Sequence, residues 1–298
     1  MIMRISAFLF SCCLMWTAVQ AQSLDYNLDA PELVGEMPKA LDEISGLTLA
    51  PGTNKELLAV EDERGKFYRL DVATGSILAA TDFWKDGDYE GIEVVGEEVW
   101  VVKNTGTLYQ IRQPESPDQS VEKFNTALND ENDVEGLTYD PHNHRLLLAC
   151  KRDAKDDGNP KTARYLFAFD LNTKKLSEGP VYAIEREAVQ NFLASSDLTP
   201  GHKKLSTLFN DRDKFDLAPS AVAIHPITHQ LFITSSVGKV LMVLNRDGRI
   251  EHLEKLDKQL FPQPEGLAFD PDGTLYISTE RKKDQSARIY RLPYLAGK

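Results

Sequence analysis

The sequence predicts an all-β chain folded as a five-bladed β-propeller, on three observations: a phrase that returns five times, the interval between its returns, and an unpartnered extended segment near the start of the chain. The phrase begins as EISGLTLAPGTNKELLAVED at Glu43. It returns as DYEGIEVVGEEVWVVKN at Asp88, DVEGLTYDPHNHRLLLACKR at Asp133, APSAVAIHPITHQLFITSS at Ala218 and QPEGLAFDPDGTLYISTE at Gln263. Each copy is a short alternating strand, a turn and a second β-rich strand. Marked at the small residue after the Glu or Ser, Gly46, Gly91 and Gly136 follow one another at 45 residues, as do Ala221 and Gly266, whereas Gly136 to Ala221 is 85. A third strand follows each pair (KFYRLDV, TLYQIRQ, RYLFAFDL, KVLMVLNR, ARIYRLP) and usually a fourth, such as SILAATDF or VEKFNTAL. Four strands in about 40 to 50 residues make one blade.

The fifth blade stops at its third strand, while DYNLDAPELVGEM, Asp25 to Met37, precedes the first. That segment is expected to supply the missing outer strand and close the ring, so that no edge is left unpaired. The long gap between blades three and four, residues 186 to 217, is expected to be a helical insertion. Ala188, Phe192 and Leu193 form one apolar face, Leu205, Leu208 and Phe209 another, and Thr199-Pro200-Gly201 breaks them apart. A degenerate sixth blade is the competing reading of the same gap.

Ahead of the propeller, Arg4, an apolar run from Ile5 to Val19 and small residues at Val19 and Ala21 read as a signal peptide over 1–21, leaving 22–298 as a single propeller domain. The protein is expected to be exported, to the periplasm or cell surface; a lipoprotein anchored at Cys12 is the alternative. No segment offers the roughly 20 apolar residues of a membrane span. Cys12 and Cys13 leave with the signal, so Cys150, in LLLACKR, is the one thiol of the mature chain and reads as a buried strand residue. A formal net charge of −12 argues against nucleic acid as a partner and favours cations or neutral and basic ligands.

In a propeller the first strand of each blade lines the central channel. The repeated phrase therefore sets Ser45, Glu90, Glu135, Ser220 and Glu265 around one mouth. Three carboxylates near one axis raise one another's pKa unless they are protonated, diverge or share a cation. Glu43, Asp86, Asp88, Asp130 and Asp133 add acid on the entering loops, and calcium takes six to eight such oxygens. Pairing with Lys103, Lys151 and Arg152 on the same face is the plainer alternative for any single carboxylate. The second-to-third strand loops add Glu61, Asp62, Arg64, Asn104, Glu280 and Arg281, so Ser45, Glu61, Asp62, Lys103, Asn104, Lys151, Arg152, Ser220 and Glu280 form the expected ligand face.

His225 and His229 have the spacing of a helical zinc pair, but they straddle a turn on the opposite face, as do His142 and His144. DGDYE, Asp86 to Glu90, lacks the twelve-residue pattern of an EF-hand. There is no nucleophile elbow, phosphate-binding loop or dinucleotide fingerprint.

The repeats from about Asp42 to Pro293 resemble the SdiA-regulated, YjiK-like bacterial propellers, themselves distantly similar to NHL repeats. The segments that carry the likeness are EISGLTLAPGTNKELLAVEDERGKFYRLDVATG, YEGIEVVGEEVWVV, VEGLTYDPHNHRLLLACK and PEGLAFDPDGTLYIS. The resemblance implies an exported five-bladed propeller with bound calcium and no settled activity. Glu90, Glu135 and Glu265 match its Glu-Gly positions; Ser45 and Ser220 depart from it. Two functions are open: a calcium-stabilised, monomeric module that binds a small molecule or protein, or a calcium-dependent hydrolase of the propeller lactonase, esterase or phytase type, with Asp88, Asp133 or Glu61 as base.

Overall fold

A computed structural model describes residues 24–152, 162–195, 199–210 and 215–296. The signal segment, Cys12 and part of the loop after Arg152 lie outside the described residues. Five antiparallel sheets follow one another along the chain. Blade one holds β2 (Ile44–Leu49), β3 (Glu56–Glu61), β4 (Lys66–Asp71) and β5 (Ile77–Asp82). Blade two holds β6 (Tyr89–Val95), β7 (Glu98–Lys103), β8 (Leu108–Arg112) and β9 (Ser120–Phe124). Blade three holds β10 (Val134–Asp140), β11 (Arg145–Cys150) and β12 (Ala163–Asp170), and its outer edge is split between β13 (Lys175–Leu176) and β14 (Tyr182–Glu185), both paired to β12. Blade four holds β15 (Pro219–Ile224), β16 (Leu231–Ser235), β17 (Val240–Leu244) and β18 (Ile250–Lys255). Blade five holds β19 (Pro264–Phe269), β20 (Leu275–Thr279) and β21 (Arg288–Leu292).

Closure follows the sequence expectation. The first strand, β1 (Glu32–Glu36), pairs antiparallel with β21 as the outer strand of blade five. Arg291 and Arg288 fasten it to Glu32 and Glu36 at 2.6 and 2.8 Å. Upstream, the Tyr26 hydroxyl donates to the Gly273 carbonyl at 2.5 Å and accepts from His225 Nε2. His225 Nδ1 accepts the Ile227 and Thr228 amides, which fixes the ring proton on Nε2. Burial holds His225 down at about 4, so this histidine is a neutral strut of the ring closure.

The strands differ by depth because the environments differ. Inner and middle strands such as β3 and β16 are buried along almost their whole length, and their sequences, ELLAVE and LFITS, are apolar or β-branched on both faces. The outer strands are the most exposed: β5 alternates between half-buried and exposed residues, and β9 has three of its five residues in water. Inner strands pack in the cycle β2, β6, β10, β15, β19 and back to β2. Gly46, Gly91, Gly136 and Gly266 permit this approach: a Cβ on Gly46 would lie 2.6 Å from the Ile92 amide nitrogen, and one on Gly136 would lie 2.9 Å from that of Val222.

The insertion is helical, with two corrections in detail. In α1 (Arg186–Ser195) the buried face is Val189 and Leu193, and Ala188 is exposed. One residue of rotation, about 100°, separates the two faces. Thr199-Pro200 starts the second helix, α2 (Pro200–Phe209): Thr199 Oγ1 accepts the His202 amide, and proline is tolerated in the first turn. His202, Leu205 and Phe209 pack inward, His202 Nε2 meets the Leu253 carbonyl at 3.1 Å, and Leu208 lies over Gly238 in the β16–β17 loop. Among the described residues no helix is long and apolar enough to cross a membrane.

Candidate functional site

Each inner strand carries a β-bulge at the residue that the repeat placed on the channel. Register shifts between Tyr89 and Gly91, Val134 and Gly136, Pro219 and Ala221, and Pro264 and Gly266 leave Glu90, Glu135, Ser220 and Glu265 unpaired; in β2 the shift falls between Ile44 and Leu47, around Ser45. A bulge bends the strand and re-aims its side chain. Glu90, Glu135 and Glu265 thus line the narrow axial tube together with the glycine ring. Ser220 and Ser45 are turned to backbone: Ser220 Oγ donates to the Pro264 carbonyl at 2.7 Å, Ser45 Oγ to that of Glu43 at 3.3 Å, and both are buried.

The carboxylates at this mouth divide into two groups. On the blade-three side, Lys151 Nζ donates to Glu135 Oε1 at 2.8 Å and Arg152 pairs with Asp133 at 3.1 Å. Asp133 itself is held in the left-handed region at φ 54. Burial pushes Glu135 up to about 7 even though Lys151 pulls the other way. Glu265 is raised by burial and by the charges of Glu280 and Glu135. Lys239 belongs here too: burial and Lys282 bring its ammonium down to about 8, with Glu265 opposing.

On the side of blades one and two, carboxyl meets carboxyl. Asp62 is within hydrogen-bonding reach of Glu43 and is pushed up to about 7 by burial and then by the charges of Glu43, Glu61 and Asp88. Glu90 reaches Asp88 and is pushed up to about 10 by burial, then by Glu135 and Asp88. Asn104 Nδ2 donates to Asp88 Oδ2. Glu280, to which Gln263 donates, reaches about 7 through burial and the charges of Asp62, Glu135 and Glu43. Glu61 Oε1 and Asp62 Oδ1 are buried and accept no hydrogen bond. Lys103 lies over the Tyr89 ring, 5.5 Å from its centre.

The donors, carboxylate oxygens throughout, suit a hard cation. Among the described residues no three His, Cys, Asp or Glu side chains already converge on one metal-sized point. Lys239 and the bulges were not read from the sequence. A lysine on a second-to-third strand loop was the available signal for the first; the Glu-Gly step at the start of an inner strand was the signal for the second.

A family model described as SdiA-regulated matches residues 19–156 and 180–282. Among solved structures, the glutaminyl cyclase of Myxococcus xanthus is similar with a TM-score of 0.53 at 12% identity, over 88% of this chain and 92% of that chain. A luciferin-regenerating enzyme is similar with a TM-score of 0.50 at 13% identity, over 91% and 95%. At these identities the likeness concerns the propeller fold alone.

Proposed function

We propose that this chain, which belongs to the SdiA-regulated family, is an exported binding module whose acidic channel mouth takes up calcium and presents it, with the surrounding loops, to a small molecule or protein. The observation that carries the reading is the pair of carboxyl–carboxyl contacts, Glu43 with Asp62 and Asp88 with Glu90. Two carboxylates at hydrogen-bonding distance repel, which favours either a proton shared by the pair or a cation between them. Glu43, Asp62, Asp88, Glu90 and Glu280 are the residues that would hold the ion. Its bound chemistry would be charge neutralisation and polarisation of a ligand oxygen. Glu135 is paired with Lys151, and the charge of Glu265 acts on both Lys151 and Lys239, so that side of the mouth carries its own cations. The run from Arg4 to Ala21 supports export.

Calorimetry on chelator-treated protein tests this. Calcium is expected to raise the Tm, and Asp62→Asn or Glu90→Gln to shrink the rise. An unchanged Tm on calcium addition overturns the reading. Export is tested separately, by a mature N-terminus at Gln22 in the periplasmic fraction.

One observation favours the hydrolase as a second reading. Of its three candidate bases, Asp88 is held by Asn104 and Asp133 by Arg152 at 3.1 Å, whereas Glu61 Oε1 is buried, accepts no hydrogen bond and meets only Arg64 Nε at 3.9 Å, and its carboxyl is raised by burial. Turnover in a lactone, aryl-ester and phosphomonoester screen that is lost in Glu61→Gln would select it.

A further inference from the structure

We propose that the channel mouth opposite the carboxylate ring is a second binding site, which takes a small molecule with a compact apolar body and a primary amine at its tip. The walls come from the repeat. Leu49, Val94, Tyr139, Ile224 and Phe269 occupy equivalent places on the five inner strands, at the same 45- and 85-residue intervals as the ring of small residues. All five are partly buried and line a cavity of about 790 Å³. Pro51, Pro141, Pro226 and Pro271 stand on its rim. Proline fixes φ, so the rim loses little freedom when a ligand enters. A concave, apolar-walled space of this size with a few convergent polar groups is what small ligands occupy.

The floor decides the chemistry. Glu93, on β6, accepts four hydrogen bonds. Its Oε1 takes Thr48 Oγ1 at 2.8 Å and the Val94 amide at 2.7 Å; its Oε2 takes Thr138 Oγ1 at 3.1 Å and the Tyr139 amide at 2.9 Å. Burial raises its carboxyl above the usual range, and the amides and threonine hydroxyls on both oxygens oppose that by favouring the ionised form. The four groups that offset its burial are all hydrogen-bond donors, and none is a cation. A desolvated carboxylate without a counter-ion favours one. Both threonine protons are spent on Glu93, which leaves the two hydroxyl oxygens as acceptors beside the cavity. The floor therefore offers acceptors and negative charge. An ammonium, with three donors, matches it; an alcohol satisfies only the acceptors; a carboxylate is repelled.

Between this site and the acidic mouth lies the ring of small residues. The axial space at that ring holds only about 10 Å³, at the lower limit for one water. A ligand larger than a water molecule therefore enters from this face and not along the axis.

Titration calorimetry of the intact protein with hexylamine, hexanol and hexanoate, matched in apolar length, tests the proposal in calcium and in chelator. Hexylamine is expected to bind at one site per chain, at least about tenfold tighter than hexanol, with no heat from hexanoate and no dependence on calcium. Ile224→Arg and Leu49→Arg, on different blades, each place a cation on the wall without touching the Glu93 hydrogen bonds, and each is expected to abolish binding with the Tm retained. Glu93→Gln is expected to remove the preference for amine over alcohol. Hexylamine binding that survives both wall variants belongs to the acidic mouth and overturns the proposal. Equal binding of all three probes, or of none, overturns it as well.

Discussion

Lys151 Nζ lies 2.8 Å from Glu135 Oε1, with the carboxylate nearly inaccessible and the ammonium about one-third exposed, so one cation from the loop just after β11 is built into the ring of channel carboxylates. Lys151→Met is expected to destabilise the metal-free protein by about 3 kcal/mol, the low end for removing one partner of a buried pair. Calcium is expected to restore part of that loss. Chemical denaturation with and without chelator measures both; an unchanged midpoint would show that the pair contributes nothing.

The mouth also sets a pH dependence. In the folded protein Asp62, Glu135 and Glu280 titrate at about 7 and Glu90 at about 10, with burial the first cause in each. The folded state thus keeps protons that the unfolded state releases above about pH 4.5. Stability is fully present below that point and is lost as pH rises through about 7 and beyond. Metal-free protein is expected to melt higher near pH 5 than near pH 8, and calcium, by replacing the protons, to flatten the slope. A metal-free Tm that climbs across this range contradicts the protonated ring.

Closeness at the axis predicts a position-dependent glycine effect. Gly46→Ala, whose Cβ would lie 2.6 Å from the Ile92 nitrogen, is expected to cost about 1–3 kcal/mol, the range for overpacking. Gly179→Ala meets nothing within 4 Å and is expected to stay within about 0.5 kcal/mol of the parent. Equal thermal shifts in the two variants would mean that the inner strands can part.

Between blades three and four, Asp140 is fully buried and accepts Arg145 at 2.9 Å and Arg246, from the next blade, at 2.8 Å. These donors hold its carboxyl below the usual range against burial. Asp140→Asn is expected to cost about 3 kcal/mol, because two guanidinium groups lose their anion. Urea denaturation gives the number, and a loss below about 0.5 kcal/mol would assign the clamp no role.

Ring closure can be loosened locally. Tyr26→Phe removes the hydroxyl between His225 and Gly273 and leaves two buried polar groups without it, at about 1–3 kcal/mol. Limited proteolysis is expected to cut residues 24–37 first in this variant. Cleavage elsewhere at the parent rate would separate Tyr26 from closure.

Much of this was legible because a propeller is periodic. Glu90, Glu135 and Glu265 could be put on one channel from their interval alone, and the stray segment at Asp25 could be assigned to blade five because that blade lacked a strand. The helical insertion was legible in kind but not in phase: Val189 replaced Ala188 on the buried face, since a short helix has too few turns to fix its rotation from sequence.

The sequence by itself determined the blade repeat, the order of strands and the residues that return at each inner strand, because backbone pairing repeats wherever the pattern does; the helices in the long gap decided for five blades over six. Only the tertiary structure decided that Lys151 reaches Glu135, that Asp88 meets Glu90, and that Glu93 is clamped between Thr48 and Thr138. Those contacts depend on bulges, rotamers and the approach of neighbouring blades. A difference of an ångström there separates an ion pair from a shared proton.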